Sequence, residues 1–389
     1  GRARDSPGDL PLRGVRVVDL TAMWAGPYAT RLLLDLGATI WKVEGPRRPD
    51  GIRGRGAAAA PFFHELNHGK LNLALDLATE AGRADLLRLV ARADLVIENF
   101  SPRVMGNLGL ASAIRRVNRD VVTVSMPAFG RSGPYRDYVG YGATLEALAG
   151  LVVQGGAGGE PRLPAVAVSD ALSGVLGAAV SVAGLYRRAA GHGGADVELS
   201  QWEALLQAIG DELLDAARTS LRHAPAPPAP RRRAPARGPL AGIFACEHGR
   251  SWVAIACGTP QQTRLLDRIA AADEASSGAA GSLPPPRRGS GAARLDAWLA
   301  RHSAEAVAAR LAAVGIPAAP VRDVAAICAD PLLEARGFWA AVEDETGRRF
   351  RVPGPPWRIA DAPPRRGTDG ARPLGADTAR VLSERDDGR

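Results

Sequence analysis

The sequence contains few cysteines and few aromatic residues. Its 389 residues include three cysteines, Cys246, Cys257 and Cys328, which are too few for a disulfide framework and lack the spacing of a metal site. We therefore expect a reducing, cytoplasmic compartment. Aromatic residues make up only 5% of the chain, but 46% of its residues are hydrophobic, which is enough for packed cores and argues against global disorder.

A secretory leader and a membrane span are also missing from the sequence pattern. The segment Gly1–Leu12 contains no apolar core. The most apolar run, Val175–Leu185, is too short and too rich in alanine and glycine to cross a bilayer. The net charge is +8, but no helix-turn-helix, zinc-finger or RNA-binding signature accompanies the arginine-rich stretches. We expect neither a nucleic acid nor a membrane as a partner.

Several catalytic motifs are absent as well. The chain has no G-x-x-x-x-G-K-[ST] loop, no G-x-G-x-x-G after its first strand and no G-x-S-x-G turn. These absences argue against an NTPase, a dinucleotide-binding oxidoreductase and an α/β-hydrolase. The segment His64–His68 matches the H-E-x-x-H zinc pattern, but Gly69 would end the helix and no third histidine follows at the required spacing. We interpret the segment as a turn-rich connection into the next strand.

Runs of β-branched and aliphatic residues alternate with helical segments in the N-terminal half. Strands are predicted at 15–20, 38–43, 71–75, 95–98 and 121–125, and helices at 27–36 and 78–91. This alternation is typical of βαβ units and predicts an α/β fold with an open, mainly parallel sheet. Ligands of such sheets bind beyond the carboxyl ends of the strands, which indicates the loops after Leu20, Val43, Glu98 and Ser125.

The second half of the chain is less regular. Ser200 and Glu203 form a capping box that starts a helix running to Leu214. The Pro/Ala/Arg-rich segment 224–239 is predicted to be a linker. Beyond it we expect a strand at 251–257, a low-complexity loop at 276–292, a helix at 295–314 and a strand turning into a helix at 321–328.

Asp170 is the carboxylate that stands out. It follows the short extended segment 164–169 and precedes a long apolar helix. One interpretation is a helix N-cap, in which the side chain accepts first-turn amides and contributes about 1 kcal/mol. A second, compatible interpretation is a nucleophile, because a helix N-terminus favours the ionised form of a carboxyl group whose reference pKa is about 3.9.

Ordered sequence blocks extend over most of the chain. They are GVRVVDL (14–20), AGP (25–27), LGATIWKVE (36–44), NHGK (67–70), LDL (75–77), ADLVIENF (93–100), FG (129–130), GPY (133–135), Asp170 with Gly174, DVELS (196–200), GIP (315–317), DP (330–331) and LG (374–375). Together they resemble the family III CoA-transferases of the CaiB/BaiF type, a superfamily that includes formyl-CoA transferases and 2-methylacyl-CoA racemases. The resemblance extends from about Leu12 to Leu382.

The resemblance implies a particular architecture. It predicts a large domain, residues 1–215 together with 330–389, built on a Rossmann-like open sheet without the nucleotide-fingerprint glycines. A Pro/Arg-rich linker at 216–239 would connect this domain to a smaller α+β domain at 240–329. The family also implies an interlocked homodimer, in which two copies are joined like the links of a chain.

The resemblance further implies that Asp170 is the nucleophile of an acyl-CoA:carboxylate CoA-transferase. Asp170 would attack an acyl-CoA thioester to form a mixed anhydride, and the released CoA would then form an aspartyl-CoA thioester. A small carboxylic acid would take the CoA by the reverse steps, without a metal or a permanently bound cofactor. The +8 charge of the chain suits the phosphates of CoA.

Two alternatives stay open at this point. A 2-methylacyl-CoA racemase uses the histidine of a Gly-His-Asp stretch, which here is Gly140–Gly142 with Tyr141 at its centre. Tyrosine is a poor acid–base substitute for histidine at neutral pH. The other alternative is a degenerate paralogue that holds CoA esters without chemistry, because positions that are commonly basic in the family are Gly45, Leu71 and Asn107.

The family's CoA contacts carry over by position. They fall on Trp24, Ala25, Leu75, Asn99, Phe100, Arg103 and Tyr141, with Leu75 beside the adenine. Candidates to replace the missing basic positions are Arg47, Arg48, Arg53, Arg55 and Arg103. The glycine-rich lid of the family has no clear counterpart around Ala236–Gly242.

Overall fold

The chain divides into two compact units. One is formed by Gly1–Pro227 with Glu334–Arg389, and the other by Pro228–Leu333. The computed structural model describes residues 10–54, 60–154, 161–221, 240–276, 290–360 and 369–384. The candidate site is built on the first unit.

A six-stranded sheet forms the centre of the first unit. Its strands are β1 (Arg16–Asp19), β2 (Thr39–Glu44), β3 (Leu71–Ala74), β4 (Leu95–Glu98), β5 (Val122–Ser125) and β6 (Asp196–Glu198). Their order is β3-β2-β1-β4-β5-β6, and every neighbouring pair is parallel. The order reverses between β1 and β4, the place where doubly wound sheets bind ligands. The predicted Rossmann-like α/β fold is therefore confirmed.

Helices connect and cover these strands. Up to residue 221 they are α1 (Ala25–Asp35), α2 (Pro61–Asn67), α3 (Glu80–Ala91), α4 (Pro102–Asn107), α5 (Leu110–Val117), α6 (Gly142–Leu148), α7 (Leu151–Gln154), α8 (Val168–Arg187), α9 (Gln201–Gln207) and α10 (Gly210–Leu221). Val17 of β1 belongs to one core with Leu33 of α1 and Leu185 of α8, whereas Val18 belongs to another with Leu86 of α3. Neighbouring residues of a strand thus face opposite cores, as a sheet covered by helices on both sides requires.

Glycines allow α8 to pack closely against the sheet. A Cβ on Gly177 would lie 2.8 Å from the Met126 side chain, and one on Gly184 would lie 2.6 Å from Val122 Cγ1. With the π turn that continues it, the helix spans Val168–His192 and is long and apolar enough, by length and composition, to cross a membrane. The helix is therefore longer than Val175–Leu185, the most apolar run of the sequence. Its glycine contacts with the strands are those of a helix in a packed core.

The second unit contains an antiparallel sheet and helices of its own. Its elements are β7 (Leu240–Cys246), β8 (Ser251–Cys257), α11 (Pro260–Ser276), α12 (Ser290–Ala300), α13 (Ala304–Ala312), β9 (Ala318–Pro320) and α14 (Val324–Cys328), with the sheet in the order β7-β8-β9. Trp298 is fully buried in its core. This content agrees with the expected smaller α+β part.

After this unit the chain forms α15 and returns to the first unit. The remaining elements are α15 (Pro331–Ala335), the antiparallel hairpin of β10 (Trp339–Glu343) and β11 (Arg349–Pro353), and α16 (Thr378–Ser383). Val381 of α16 belongs to the core on the α3 face of the large sheet. The C-terminal segment is therefore part of the sheet domain in space, although it is distant from it in sequence.

Several element boundaries differ from the sequence predictions. The helix predicted at 295–314 is two helices, because the Ser303 hydroxyl accepts the amide of Ala306 at 3.1 Å and caps a new one. The helix after Ser200 ends at Gln207, and α10 begins at Gly210. α10 extends to Leu221 and so includes the start of the segment expected to be a linker from 216. The rest of that segment, 222–239, lies outside the described residues, as does most of the region compared with the lid.

Gly184→Ala should lower the free energy of unfolding by about 1–3 kcal/mol, because the added methyl group would overpack the contact with Val122. Urea unfolding followed by circular dichroism measures this change. Gly210→Ala is the matched control, since a Cβ there meets nothing within 4 Å and alanine favours the helix. Equal stability of the two variants would contradict the close packing of α8.

Candidate active site

The loops after β1 and β4 meet where the strand order reverses. Asn99, directly after β4, donates through Nδ2 to the carbonyl oxygen of Ala22 at 2.8 Å. Its Oδ1 accepts the amide of Ala22 at 2.9 Å. These two hydrogen bonds join the loops into one edge at the carboxyl end of the sheet.

Buried charged side chains beneath the loop after β1 hold this loop in place through hydrogen bonds. Asp19 accepts the amide of Thr21 at 2.9 Å, its hydroxyl at 2.6 Å and the Lys70 ammonium at 3.2 Å. Lys42 donates to the carbonyl oxygen of Thr21 at 2.6 Å and to Asp50 at 2.9 Å. We call Asp19, Lys42, Asp50 and Lys70 the loop-anchoring network. All four side chains are buried.

The charges of the loop-anchoring network stabilise one another. Burial alone would raise the pKa of Asp19, but Lys70 and Lys42 outweigh it and hold that pKa below its usual value. Burial likewise disfavours the charge on Lys42, yet Asp19 and Asp50 raise its pKa. At Lys70 burial dominates and lowers the pKa to about 8. Loss of one member would leave an uncompensated buried charge, which is strongly destabilising.

Met23 in the loop after β1 has a left-handed backbone, with φ at 69°. Few residues other than glycine adopt this conformation. The Met23 amide donates to Asp50 Oδ1 at 3.0 Å, so the loop-anchoring network holds the conformation in place. Helix α1 then begins at Ala25, two residues before Pro27, where the sequence placed its start. Strained backbone that is held in this way is typical of functional loops.

Asp170 lies in the first turn of α8, but it is not the N-cap. The helix begins at Val168, and its N-cap, Ala167, has no side chain that can accept a hydrogen bond. The N-cap interpretation was therefore wrong. Asp170 instead faces the amide of Ala25, the first residue of α1, which acts to lower the pKa of its carboxyl group. The carboxylate thus lies at the N-terminal ends of two helices, which favour negative charge.

Close backbone packing brings these groups together. A Cβ on Gly174 would lie 2.9 Å from the carbonyl oxygen of Ala25 and 2.7 Å from Tyr28 Cδ1, so a glycine is required for α8 to approach α1 this closely. A Cβ on Gly142, the first residue of α6, would lie 2.4 Å from Asp170 Oδ2. The N-terminus of α6 therefore also faces the carboxylate.

The environment of Asp170 makes it more basic than an ordinary aspartate. Burial is the largest cause, the charge of Glu146 adds to it, and the Ala25 amide opposes both. Together they raise the pKa of Asp170 to about 6. The helix N-terminus therefore does not decide this pKa, contrary to what the sequence alone suggests. At neutral pH the group is still mostly a carboxylate, and it is a stronger nucleophile than free aspartate.

Glu146 is a residue of this site that sequence reasoning missed. It lies on α6, is 2% exposed, and accepts the amide and the hydroxyl of Ser169 at 3.2 and 3.4 Å. Its position four residues after Gly142 places it one helical turn along the same face. That spacing was the available signal, but it acquires meaning only once α6 is known to pack against α8.

Three positions assigned to CoA by resemblance lie together at the reversal of the strand order. They are Trp24, Ala25 and Asn99. Trp24 is half-buried and packs edge-to-face on Phe62, with ring centroids 5.0 Å apart. The amide of Ala25 acts on the pKa of Asp170, so this part of the edge lies beside the carboxylate.

The other four positions differ in exposure. Leu75 is 3% exposed and belongs to the core on the α3 face, and Phe100 packs against the same core. The Arg103 side chain, on α4, is 59% exposed and lies 3.5 Å from Asp137. Tyr141, directly before α6, is 63% exposed. Arg103 and Tyr141 thus offer side chains to solvent, whereas Leu75 and Phe100 mainly fill the core.

The arginines considered as replacements for the missing basic positions differ in their exposure and in their ion pairs. Arg53 is bound to Glu44, with Nε 3.2 Å from Oε2. The Arg47 side chain is 74% exposed and pairs with Asp76 at 2.7 Å. Arg55 lies outside the described residues. Arg47 follows β2 and Arg103 follows β4, so both lie at the carboxyl edge of the sheet.

The H-E-x-x-H segment forms a helix, α2, and not the turn-rich connection expected from the sequence. His64 is buried, and its Nδ1 accepts the amide of Ala371 at 2.9 Å. His68 Nδ1 lies 3.0 Å from the carbonyl oxygen of His64. Among the residues that the structure describes, no group of three or more His, Cys, Asp or Glu side chains is arranged to hold a metal ion.

Known proteins match this chain, one of them over nearly its whole length. The alpha subunit of succinyl-CoA–L-malate CoA-transferase from Chloroflexus aurantiacus is 30% identical over 393 residues, which cover 96% of this chain and 89% of that protein. Succinate–glutarate CoA-transferase from Agrobacterium fabrum is 34% identical over 196 residues, 47% of this chain and 49% of that protein.

A solved structure and a family model agree with these relatives. A CaiB/BaiF family protein from Brucella suis superposes with a TM-score of 0.80 at 27% identity, covering 97% of this chain and all of that one. The model of CoA-transferase family III matches residues 12–378. The chain therefore belongs to CoA-transferase family III and is a CoA-transferase.

Proposed function

We propose that this enzyme is an acyl-CoA:carboxylate CoA-transferase that carries CoA through covalent intermediates on Asp170. The observation that carries the proposal is the setting of Asp170: a half-buried carboxylate with a pKa of about 6 that faces the first amide of α1. The relatives are named for succinyl-CoA with L-malate and for succinate with glutarate. We therefore propose small acyl-CoA donors and small carboxylate acceptors.

The proposed reaction consists of four balanced displacements. An Asp170 oxygen attacks the thioester carbonyl carbon, the C–S bond breaks, and CoA leaves as a thiolate. The thiolate attacks the Asp170 carbonyl carbon of the mixed anhydride and releases the donor carboxylate. The acceptor carboxylate then displaces the thiolate from the aspartyl thioester. Finally the thiolate attacks the acyl carbon of the acceptor and frees Asp170. No net proton or electron is transferred.

The helix termini around Asp170 suit these steps. Each attack on the Asp170 carbonyl carbon places negative charge on an Asp170 oxygen. The amide of Ala25 already faces this carboxyl group, so a donor is in place before the charge develops. The N-terminal ends of α1, α6 and α8 add favourable dipoles.

We propose that CoA binds at the edge of the sheet where the strand order reverses. Trp24, Ala25 and Asn99 would line it, while Leu75 and Phe100 would contact CoA through their backbone more than through their largely enclosed side chains. We propose that Arg103 and Arg47 meet the phosphates, because both are exposed at this edge. Tyr141 would lie beside the acyl group, since Gly142 follows it against Asp170.

The racemase alternative has less support. A racemase needs two acid–base groups on opposite sides of the α-carbon. Beside Asp170 the α6 terminus offers Tyr141, which is 63% exposed, and Gly142, which has no side chain. The surroundings of Asp170 favour a covalent role.

We also propose that two copies form the interlocked homodimer that the family resemblance implies. Apolar side chains near the N-termini of α6 and α8 are exposed: Val139 at 69%, Leu163 at 60% and Val166 at 55%. A surface of this kind is typical of a protein interface. Light scattering coupled to gel filtration measures the mass of the assembly in solution.

Asp170→Asn and Asp170→Ala should abolish CoA transfer and adduct formation while leaving the fold intact. Intact-protein mass spectrometry after mixing with succinyl-CoA should detect the wild type plus CoA minus water, or the wild type plus succinic acid minus water. Asp85→Asn, a change of the same kind in α3 on the other face of the sheet, is the control and should behave as the wild type. Full activity of an Asp170 variant would refute the proposal.

The kcat/KM for succinyl-CoA should fall as the pH drops through about 6, because protonation removes the nucleophilic form of Asp170. Below this pH the decrease should approach tenfold for each pH unit. Circular dichroism at each pH controls for unfolding. A profile without an inflection between about pH 5 and pH 7 would contradict the assigned role.

Arg103→Ala should raise the KM for the acyl-CoA by about three- to tenfold with little change in kcat. The reason is that the contact between Arg103 and a phosphate of CoA is lost equally in the enzyme–substrate complex and in the transition state. Arg88→Ala is the matched control, since Arg88 is similarly exposed but lies on α3. An unchanged KM in the Arg103 variant would exclude this residue from the phosphate site.

A further inference from the structure

Helix α8 begins without a cap of its own. Its N-cap residue, Ala167, has no side chain that can accept a first-turn amide. The amide of Ser169 donates instead to Glu146 Oε1 at 3.2 Å, and the Ser169 hydroxyl lies 3.4 Å from the same oxygen. Glu146 belongs to α6 and is 2% exposed. The cap of the helix that carries Asp170 is therefore supplied by another helix.

Two carboxylates consequently share one helix N-terminus. Glu146 accepts from Ser169, and Asp170 follows Ser169 directly in the same turn. The positive end of a helix stabilises each negative charge, but the two like charges oppose one another. Burial reduces the screening of this repulsion by water.

We propose that Glu146 is a positioning residue for Asp170. Glu146 caps the helix that carries the nucleophile, and its negative charge repels the negative charge of the nucleophile. The inference rests on the proposed role of Asp170 for its catalytic consequence, but not for the geometry. The hydrogen bond from Ser169 to Glu146 holds the first turn of α8 in the position where Asp170 faces the Ala25 amide. Burial is the main cause that keeps the Asp170 carboxylate basic, and repulsion by Glu146 adds to it, which helps the carboxylate to attack a carbonyl carbon.

The other ionisable groups around α8 are accounted for. Of those on the elements packed against it, and on α8 itself, Glu146 is the one that perturbs the pKa of Asp170, together with burial and the Ala25 amide. The other ionisable groups on these described elements are not among the causes of the shift in the pKa of Asp170. They are Tyr28, Arg31 and Asp35 of α1, Tyr141 before α6, Glu203 of α9, Asp196 and Glu198 of β6, Tyr186 and Arg187 of α8, and Arg188 and His192 of the π turn. The electrostatic part of the inference is therefore specific to one pair.

Two variants separate the charge of Glu146 from its capping. Glu146→Gln keeps an oxygen that can accept the Ser169 amide and removes the charge. Glu146→Leu removes both. The control is Glu80→Gln, which removes the same charge from the exposed first turn of α3, on the other face of the sheet.

The first readout is the titration of Asp170 by carbon NMR of protein labelled with [γ-¹³C]aspartate, with Asp170→Asn assigning the resonance. Glu146→Gln should lower the midpoint by about half a pH unit or more, and Glu80→Gln should leave it unchanged. Glu146→Leu should also lower it. An unchanged midpoint in both Glu146 variants would overturn the proposal, and this readout does not depend on activity.

The second readout is the pH profile of kcat/KM with succinyl-CoA. In Glu146→Gln the acid limb should move to lower pH by the same amount, while Glu146→Leu should in addition lose about tenfold or more in kcat and unfold at a lower temperature. A residue with a merely structural role would not move the acid limb. Turnover that persists in Asp170→Asn would refute the proposed function, whereas the NMR titration would still decide the role of Glu146.

Discussion

The approach of the Asp170 carboxylate to the Ala25 amide is the constraint around which this site is built. It requires the first turns of α1 and α8 to meet, and this in turn requires Gly174, because any larger residue would strike the carbonyl oxygen of Ala25. It also requires Gly26, since a Cβ there would lie 2.2 Å from Thr21 Cβ in the preceding loop. The sheet supplies the rest: reversal of the strand order at β1 opens the edge where α1 begins.

The loop-anchoring network explains why this edge can be rigid without being hydrophobic. Asp19, Lys42, Asp50 and Lys70 are buried beneath the loop, and their hydrogen bonds hold the left-handed Met23. Buried ion pairs contribute little to stability when they are compared with packed apolar side chains, but they are costly to break singly. We infer that they serve here to define one loop conformation.

Asp170 itself lowers the stability of the protein at neutral pH. Its pKa in the folded state, about 6, exceeds that of an unfolded aspartate, so the folded state binds the proton more tightly. The corresponding stability is fully present below the unfolded pKa and is lost as the pH rises through about 6. With the role proposed for Asp170, this half-buried carboxylate is thus a case in which function and stability oppose each other.

The sequence predicted most of the sheet and singled out Asp170, but it did not predict the surroundings of that residue. The strand at 95–98 was predicted at its observed bounds, because aliphatic runs in a fully buried sheet are a local signal. The position of Asp170 before an apolar helix drew attention to it, the ordered blocks implied its role, and local rules offered the wrong N-cap interpretation. That interpretation failed because the cap comes from Glu146, 23 residues before Ser169, and no local pattern reports such a contact.

The same limit applies to the motifs themselves. Asp19, Lys42 and Lys70 stood in the blocks that carried the family resemblance, but their charge gave no sign that they are buried. Charged residues are rarely buried unless they are paired, and pairing between strands β1, β2 and β3 is a tertiary property. Residues that the resemblance marks therefore include supports of the site as well as its reactive group.

Isotope transfer between succinate and the enzyme tests the central claim most directly. In the proposed reaction, the acceptor oxygen that bridges the anhydride stays on Asp170 when CoA attacks the acyl carbon. Turnover of succinyl-CoA with ¹⁸O-labelled succinate should therefore place ¹⁸O on Asp170, located by fragmentation of the peptide that contains it. Exchange of CoA between the two succinates with no label on Asp170 would contradict covalent catalysis by this residue.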